Sequence, residues 1–85
     1  MKIPGKKKKL TKKVVTKDLA RLGNRIKELR IKKGYSNYEY FAYEHDLPRS
    51  QYGRYEKGED LRYSSLMKVV RALGVTLEEF FGKGF

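Results

Sequence analysis

The residues best suited to chemistry in this chain are the arginines between Pro48 and Gly58, a stretch whose pattern predicts one short helix. Proline is common at the first position of a helix and glycine is common just beyond the last, so we expect a helix over residues 48–57. A period of 3.6 residues separates an inner from an outer face. The inner face holds Tyr52 and Tyr55, and the outer face holds Arg49, Ser50, Gly53 and Arg54, with Gln51 at its edge.

The outer face of this helix offers hydrogen-bond donors and little bulk. In the major groove of B-DNA an arginine can donate to both O6 and N7 of guanine, and serine or glutamine can reach neighbouring base edges. The stretch is therefore a candidate for reading DNA. Taken alone, it is also compatible with an ordinary amphipathic surface helix.

The positive charge of the chain is concentrated near its N-terminus. The formal charge is +11, and residues 1–17 hold eight lysines and no acid, whereas the rest holds 13 basic and 10 acidic residues. We expect residues 1–15 to be a disordered basic arm, because they have too few apolar side chains to pack. Such an arm either follows DNA phosphates and adds salt-sensitive affinity, or serves as a solubilising tail.

Composition argues against several other functions. The 85 residues contain no cysteine, which excludes disulfide bonds and thiolate metal sites. No apolar run approaches the roughly 20 residues of a membrane span, and no secretory signal is present, so we expect a cytoplasmic protein. His45 has no acidic cluster at metal-ligand spacing, so neither a metal nor another cofactor is expected. No nucleophile and base converge, which argues against an enzyme.

Hydrophobic periodicity predicts an all-α domain over residues 16–85. Apolar residues recur at spacings of three and four in a first helix, which Thr16 can cap and which ends near Lys33. The same spacing predicts a fourth helix over residues 64–73, and Thr76 can cap a short fifth. No segment shows the alternation of polar and apolar residues that is typical of a β-strand.

A second helix is expected just before the helix predicted over residues 48–57. Ser36 can cap it, Glu39 can complete a capping box, and the helix ends near His45. Only about three residues then connect it to the third helix, so the two must cross steeply. This predicts a helix-turn-helix arrangement.

Short motifs over residues 22–81 carry a family resemblance. They are Arg25-Ile26-Lys27-x-x-Arg30 with Gly34, Phe41-Ala42, Tyr52-x-x-Tyr55-Glu56-x-Gly58, and Leu66-x-x-Val69-x-x-Ala72-Leu73-Gly74-Val75. In order and spacing they resemble the Cro and lambdoid-repressor type of helix-turn-helix domain, the XRE family. The resemblance implies a five-helix lambda-repressor-like fold in a bacterial or phage protein that binds double-stranded DNA at specific operators, commonly as a dimer.

The resemblance also implies roles for individual residues. Its base-reading positions correspond to Arg49, Ser50 and Arg54, with Gln51 and Gly53 at the edges. Backbone phosphates are expected to contact Asn37 and Tyr38 at the start of the second helix, and Lys57, Arg62, Tyr63 and Ser64 beyond the third. The alternative to a phosphate contact for Arg62 is insertion of its side chain into the minor groove. Arg30 and Glu56 face each other in the resembled fold, which implies a structural ion pair.

The C-terminal segment carries more apolar surface than one small domain needs. Val75, Phe81 and Phe85 are candidates for a two-fold contact, whereas core filling is the alternative for Phe80 and Phe81. Tyrosines spaced along a basic chain are typical of proteins whose aromatic rings stack on RNA bases. Here their placement within helices favours packing inside the protein.

These observations favour a small transcriptional regulator, specifically a repressor that blocks promoter DNA as a homodimer. The alternative is the antitoxin of a toxin–antitoxin pair, which would need a protein partner. A third hypothesis is an architectural DNA-binding protein without sequence preference, in which the lysine arm dominates binding.

Overall fold

The computed structural model describes residues 16–85, and every regular element in that range is a helix. The helices are α1 (Lys17–Lys32), α2 (Tyr38–Glu44), α3 (Arg49–Glu56), α4 (Tyr63–Leu73) and α5 (Leu77–Phe80). The prediction of an all-α, five-helix fold is confirmed. The predicted basic arm, residues 1–15, lies outside the described residues. None of the five helices is long and apolar enough to cross a membrane.

Two threonines begin helices as the sequence predicted. The hydroxyl of Thr16 accepts a hydrogen bond from the Leu19 N–H at 3.1 Å and starts α1. The hydroxyl of Thr76 accepts from the Glu79 N–H at 3.0 Å, and the Glu79 carboxylate accepts from the Thr76 N–H at 2.8 Å. This capping box satisfies two N–H groups that a short helix such as α5 otherwise leaves unpaired.

Three helix starts differ from the prediction by one residue, and the simplest case is α4, which begins at Tyr63 instead of residue 64. Asn37 caps α2 in place of Ser36, because its extended backbone lets Oδ1 accept from the Tyr40 N–H at 3.0 Å. Glu39 is consequently the second residue of α2, too early for the predicted capping box. Pro48 precedes α3 instead of opening it, since its ψ of 118° is extended.

The core is shared by all five helices. Residues at spacings of three and four lie on one helix face, so each helix contributes a narrow apolar stripe. The most buried members are Ile26, Phe41, Ala42, Tyr52, Val69, Val70, Leu73 and Phe80. Both α1 and α2 contact α3. The helix predicted to read DNA is therefore held by the core along its inner side.

Candidate nucleic-acid interface

The helix α3 presents opposite faces to the core and to solvent. Tyr52 is fully buried and Tyr55 is 8% exposed, as the helical period predicted. Four of the five predicted base-reading residues are exposed, namely Arg49, Ser50, Gln51 and Arg54. The outer face thus carries two guanidinium groups and two neutral hydrogen-bonding side chains.

Gly53 lies on a covered side of α3, although the helical period placed it on the outer face. It is buried, because the ring of Tyr38 lies against it, and a Cβ atom at position 53 would be 2.6 Å from Tyr38 Cε1. A glycine here lets the start of α2 approach α3 closely. Gly53 is therefore a packing residue, and the side of α3 that was expected to be open is covered by Tyr38.

The turn after α3 brings an acidic residue to the outer face. Gly58 has a φ of +97°, which glycine adopts readily. The N–H groups of Gly58 and Glu59 donate to the carbonyls of Tyr55 and Arg54 at 3.1 and 3.0 Å, the Schellman arrangement of a helix end. Glu59 Oε1 then lies 3.1 Å from Arg54 Nε, with the side chains 55% and 52% exposed respectively. This pair was not predicted from the sequence, although the glycine that ends α3, four residues after Arg54, was.

An ion pair links the end of α3 to α1. Arg30 Nε donates to Glu56 Oε2 at 2.8 Å and Arg30 Nη2 donates to Glu56 Oε1 at 2.9 Å, and the two side chains are only 4% and 7% exposed. The Tyr52 hydroxyl donates to the same carboxylate. The hydrogen bonds to Glu56 raise the pKa of Arg30. Burial, followed by the bond to Glu56, raises the pKa of Tyr52. Arg30 and Glu56 thus face each other and fix the orientation of α3.

Gly23 lies where α1 and the end of α3 come close together. A Cβ atom there would lie 2.7 Å from the Tyr55 carbonyl oxygen and 2.8 Å from that of Glu56. A glycine inside a helix weakens it by up to about 1 kcal/mol relative to alanine. Here the smaller residue is required because any side chain would push α3 away from α1.

The predicted phosphate contacts are accessible. Tyr38 is half-buried, and the other five are exposed: Asn37, Lys57, Arg62, Tyr63 and Ser64. Asn37 uses Oδ1 to cap α2, which leaves the two N–H donors of its amide free of that bond. No side chain caps α4 after Arg62, and uncapped N–H groups at the start of a helix attract anions.

Arg25 holds the C-terminal segment against α1. Its guanidinium donates to the carbonyls of Phe80, Glu79 and Lys83 at 2.8, 2.9 and 3.1 Å. The Phe80 carbonyl is one that the end of α5 leaves without a backbone partner, whereas that of Glu79 also accepts from the Gly82 N–H and that of Lys83 lies beyond the helix. Arg25 was part of a predicted motif, but its contacts with the C-terminal segment were not predicted. They join residues more than 50 positions apart in the sequence.

The three predicted dimer-contact residues differ in exposure. Phe81 is 45% exposed, whereas Val75 and Phe85 are partly buried against the core. The guanidinium of Arg21 lies 4.5 Å from the centre of the Phe85 ring. Of the three, Phe81 therefore has the largest share of its surface available to a second molecule.

His45 follows α2 and packs against aromatic rings. Its ring centroid lies 4.6 Å from that of Phe41 and 5.8 Å from that of Tyr35. Among residues 16–85, no three histidine, cysteine, aspartate or glutamate residues are grouped so that they could hold a metal ion.

Comparison with protein families identifies the arrangement. Residues 26–80, which include α2, α3 and α4, match the family model described as Helix-turn-helix. The chain belongs to the helix-turn-helix proteins of the XRE family. This helix-turn-helix protein is 39% identical over 62 residues to "Control protein C.MunI" of Mycoplasma sp, and the aligned region spans 72% of this chain and 84% of that relative. The search of solved structures gave no match. The resemblance and the prediction of a sequence-specific DNA-binding transcriptional regulator are confirmed.

Proposed function

We propose that this regulator reads its operator with the outer face of α3 in the major groove. The observation that carries the proposal is the contrast between the two faces of α3. The inner face is fixed by buried Tyr52 and by the Arg30–Glu56 pair, while Arg49 and Arg54 are exposed. A rigid helix that presents guanidinium groups suits bidentate contacts to guanine, each of which discriminates by about 1–3 kcal/mol. Ser50 and Gln51 contact neighbouring base edges.

Phosphate contacts on both sides of this helix set its register on the duplex. Asn37 and Tyr38 bind one backbone through the start of α2, and Lys57 and Arg62 bind another together with Tyr63 and Ser64. Exposure of five of these six residues and the uncapped start of α4 support this assignment. The lysines of residues 1–15 add affinity that does not depend on sequence and that falls with salt.

The regulator acts as a repressor by covering promoter DNA, in the cytoplasm of a bacterium or of a phage host. The similarity to a control protein supports a regulatory role. The functional unit on DNA is a homodimer, with Phe81 at its contact and Val75 and Phe85 beside it. Such a dimer places two α3 helices about 34 Å apart, so its operator is an inverted repeat.

Selection of bound sequences from a random DNA pool tests the proposal. The expected result is an inverted repeat with half-sites centred about 10 base pairs apart. Competition with random DNA at rising salt then separates sequence reading from arm-driven binding. Deleting residues 1–15 should lower total affinity and leave the preference for the selected sequence nearly intact. Recovery of no consensus would favour the architectural alternative.

The antitoxin alternative is not favoured by the similarity to a control protein. It predicts a stable complex with a second protein. Co-expression with the product of the neighbouring reading frame, followed by gel filtration, distinguishes the two. Under the regulator proposal this protein elutes without that product.

A further inference from the structure

Arg54 and Glu59 are joined twice at the end of α3. The Glu59 N–H donates to the Arg54 carbonyl at 3.0 Å, and the Arg54 Nε lies 3.1 Å from Glu59 Oε1. The main-chain bond belongs to the helix end and does not depend on either side chain. The turn at Gly58 thus holds the backbone of Glu59 beside the end of α3, within reach of the Arg54 side chain.

We propose that Glu59 is a positioning residue that determines how Arg54 reads DNA and raises discrimination between sequences. The inference rests on the proposed function, in which Arg54 contacts a base.

The geometry of the pair restricts the hydrogen bonds that Arg54 can offer. An arginine has five N–H donors, one on Nε and four on the two terminal nitrogens. The Glu59 carboxylate lies 3.1 Å from Nε as an ion pair, so its negative charge occupies that side of the guanidinium and an acceptor reaches the terminal nitrogens more easily. An end-on contact with O6 and N7 of guanine uses two of these donors. Glu59 thereby favours the end-on contact over a sideways contact through Nε.

The pair also lowers the entropy that Arg54 loses on binding. Immobilising a long side chain costs affinity, and a side chain that is already held loses less. The expected benefit is about two- to tenfold in affinity for the correct base. Because both side chains are about half exposed, the same pair contributes little to folding stability.

The charge of Glu59 acts against contacts that do not depend on sequence. A carboxylate beside Arg54 reduces the local positive charge and repels phosphate groups. Arg54 therefore contributes less binding free energy on DNA of arbitrary sequence than an unpaired arginine would. Correct positioning and weaker phosphate attraction both increase the ratio of specific to non-specific affinity.

The test is a double-mutant cycle on the full chain with the operator obtained by selection. Binding constants of the wild type, Glu59→Gln, Arg54→Ala and the double variant are measured on the operator, on its single-base variants and on random DNA. Glu78→Gln is the matched control, because it removes the same charge from an exposed position in the first turn of α5. Thermal unfolding of each variant monitors the fold.

The proposal expects Arg54→Ala to abolish discrimination at one base pair. At that pair Glu59→Gln should lower discrimination about three- to tenfold and raise affinity for random DNA, and it should shift thermal unfolding only slightly because the pair is about half exposed. Glu78→Gln should leave discrimination unchanged, and Glu59→Gln should have no further effect on it once Arg54 is absent. If Arg54→Ala abolishes discrimination and Glu59→Gln does not change it, the role of Glu59 is overturned while that of Arg54 stands. If Arg54→Ala changes discrimination at no base pair, both roles are overturned.

Discussion

Arg30 and Glu56 form a two-point ion pair, in which Nε and Nη2 of the guanidinium lie 2.8 and 2.9 Å from the two carboxylate oxygens. The pair joins α1 to the last residue of α3 in a site that excludes most solvent. A third bond comes from the hydroxyl of Tyr52, whose side chain is fully buried. The orientation of the reading helix therefore depends on a buried charge pair.

Glu56→Ala should lower the free energy of unfolding by about 3 kcal/mol or more, because it leaves the guanidinium of Arg30 buried without its partner. Urea denaturation measures this. Glu59→Gln is the control, since it removes an exposed partner and should cost under about 1 kcal/mol. Equal costs for the two substitutions would show that burial of the Arg30 pair has no energetic consequence.

Gly23→Ala should destabilise the protein although alanine favours helices. The added methyl group meets the carbonyl oxygens of Tyr55 and Glu56 at under 3 Å, and such overpacking costs about 1–3 kcal/mol. Asn24→Ala at the adjacent, exposed position is the control and should not destabilise α1. Thermal unfolding measures the stability of both variants relative to the wild type. A Gly23→Ala protein that is more stable than the wild type would contradict the close packing of α1 against α3.

Tyr52 should make stability fall at alkaline pH. Its pKa is raised in the folded state by burial and by the bond to Glu56, whereas the unfolded tyrosine has a pKa of about 10. Above that pH the unfolded chain loses a proton that the folded chain keeps, so stability decreases by up to about 1.4 kcal/mol per pH unit from this group. Its contribution is complete below pH 10 and is lost as pH rises toward the folded pKa.

Tyr52→Phe should reduce the steepness of this alkaline decrease. Urea denaturation between about pH 9 and 11 measures the slope. Tyr43→Phe, at a position 71% exposed, should retain the wild-type slope. Identical slopes for wild type and Tyr52→Phe would argue against a protonated, buried Tyr52.

Lys57→Ala should weaken binding to every DNA sequence by a similar factor, because a phosphate contact carries no base information. The slope of log affinity against log salt should fall in magnitude by about 1. Lys83→Ala, in the segment that Arg25 holds against α1, is the charge-matched control and should have a smaller effect. Loss of preference at a single base pair would instead place Lys57 among the reading residues.

Local patterns made much of the fold predictable. Spacings of three and four located the helices, and Thr16 and Thr76 identified two helix starts because their hydroxyls act within one turn. At α2 the predicted cap was Ser36 and the observed cap is Asn37; both residue types cap helices well, so local chemistry alone does not choose between neighbours. The Arg30–Glu56 pair spans 26 residues and was expected only from the family resemblance.

The site was harder to predict where it depends on neighbouring elements. Helical periodicity put Gly53 on the outer face but could not show that Tyr38 covers it. The contact between Arg54 and Glu59 requires the left-handed turn at Gly58, which reverses the chain just beyond α3. Contacts of this kind arise from tertiary geometry and have no periodic signal in the sequence.

Base reading by α3 is tested most directly by Arg49→Ala. The binding constants of this variant and the wild type should be compared on the selected operator, its single-base variants and random DNA at one salt concentration. The expected result is loss of preference at one base pair, worth about 1–3 kcal/mol, with unchanged thermal stability because Arg49 is exposed. An equal loss of affinity on the operator and on random DNA would contradict the central claim that this face of α3 reads sequence.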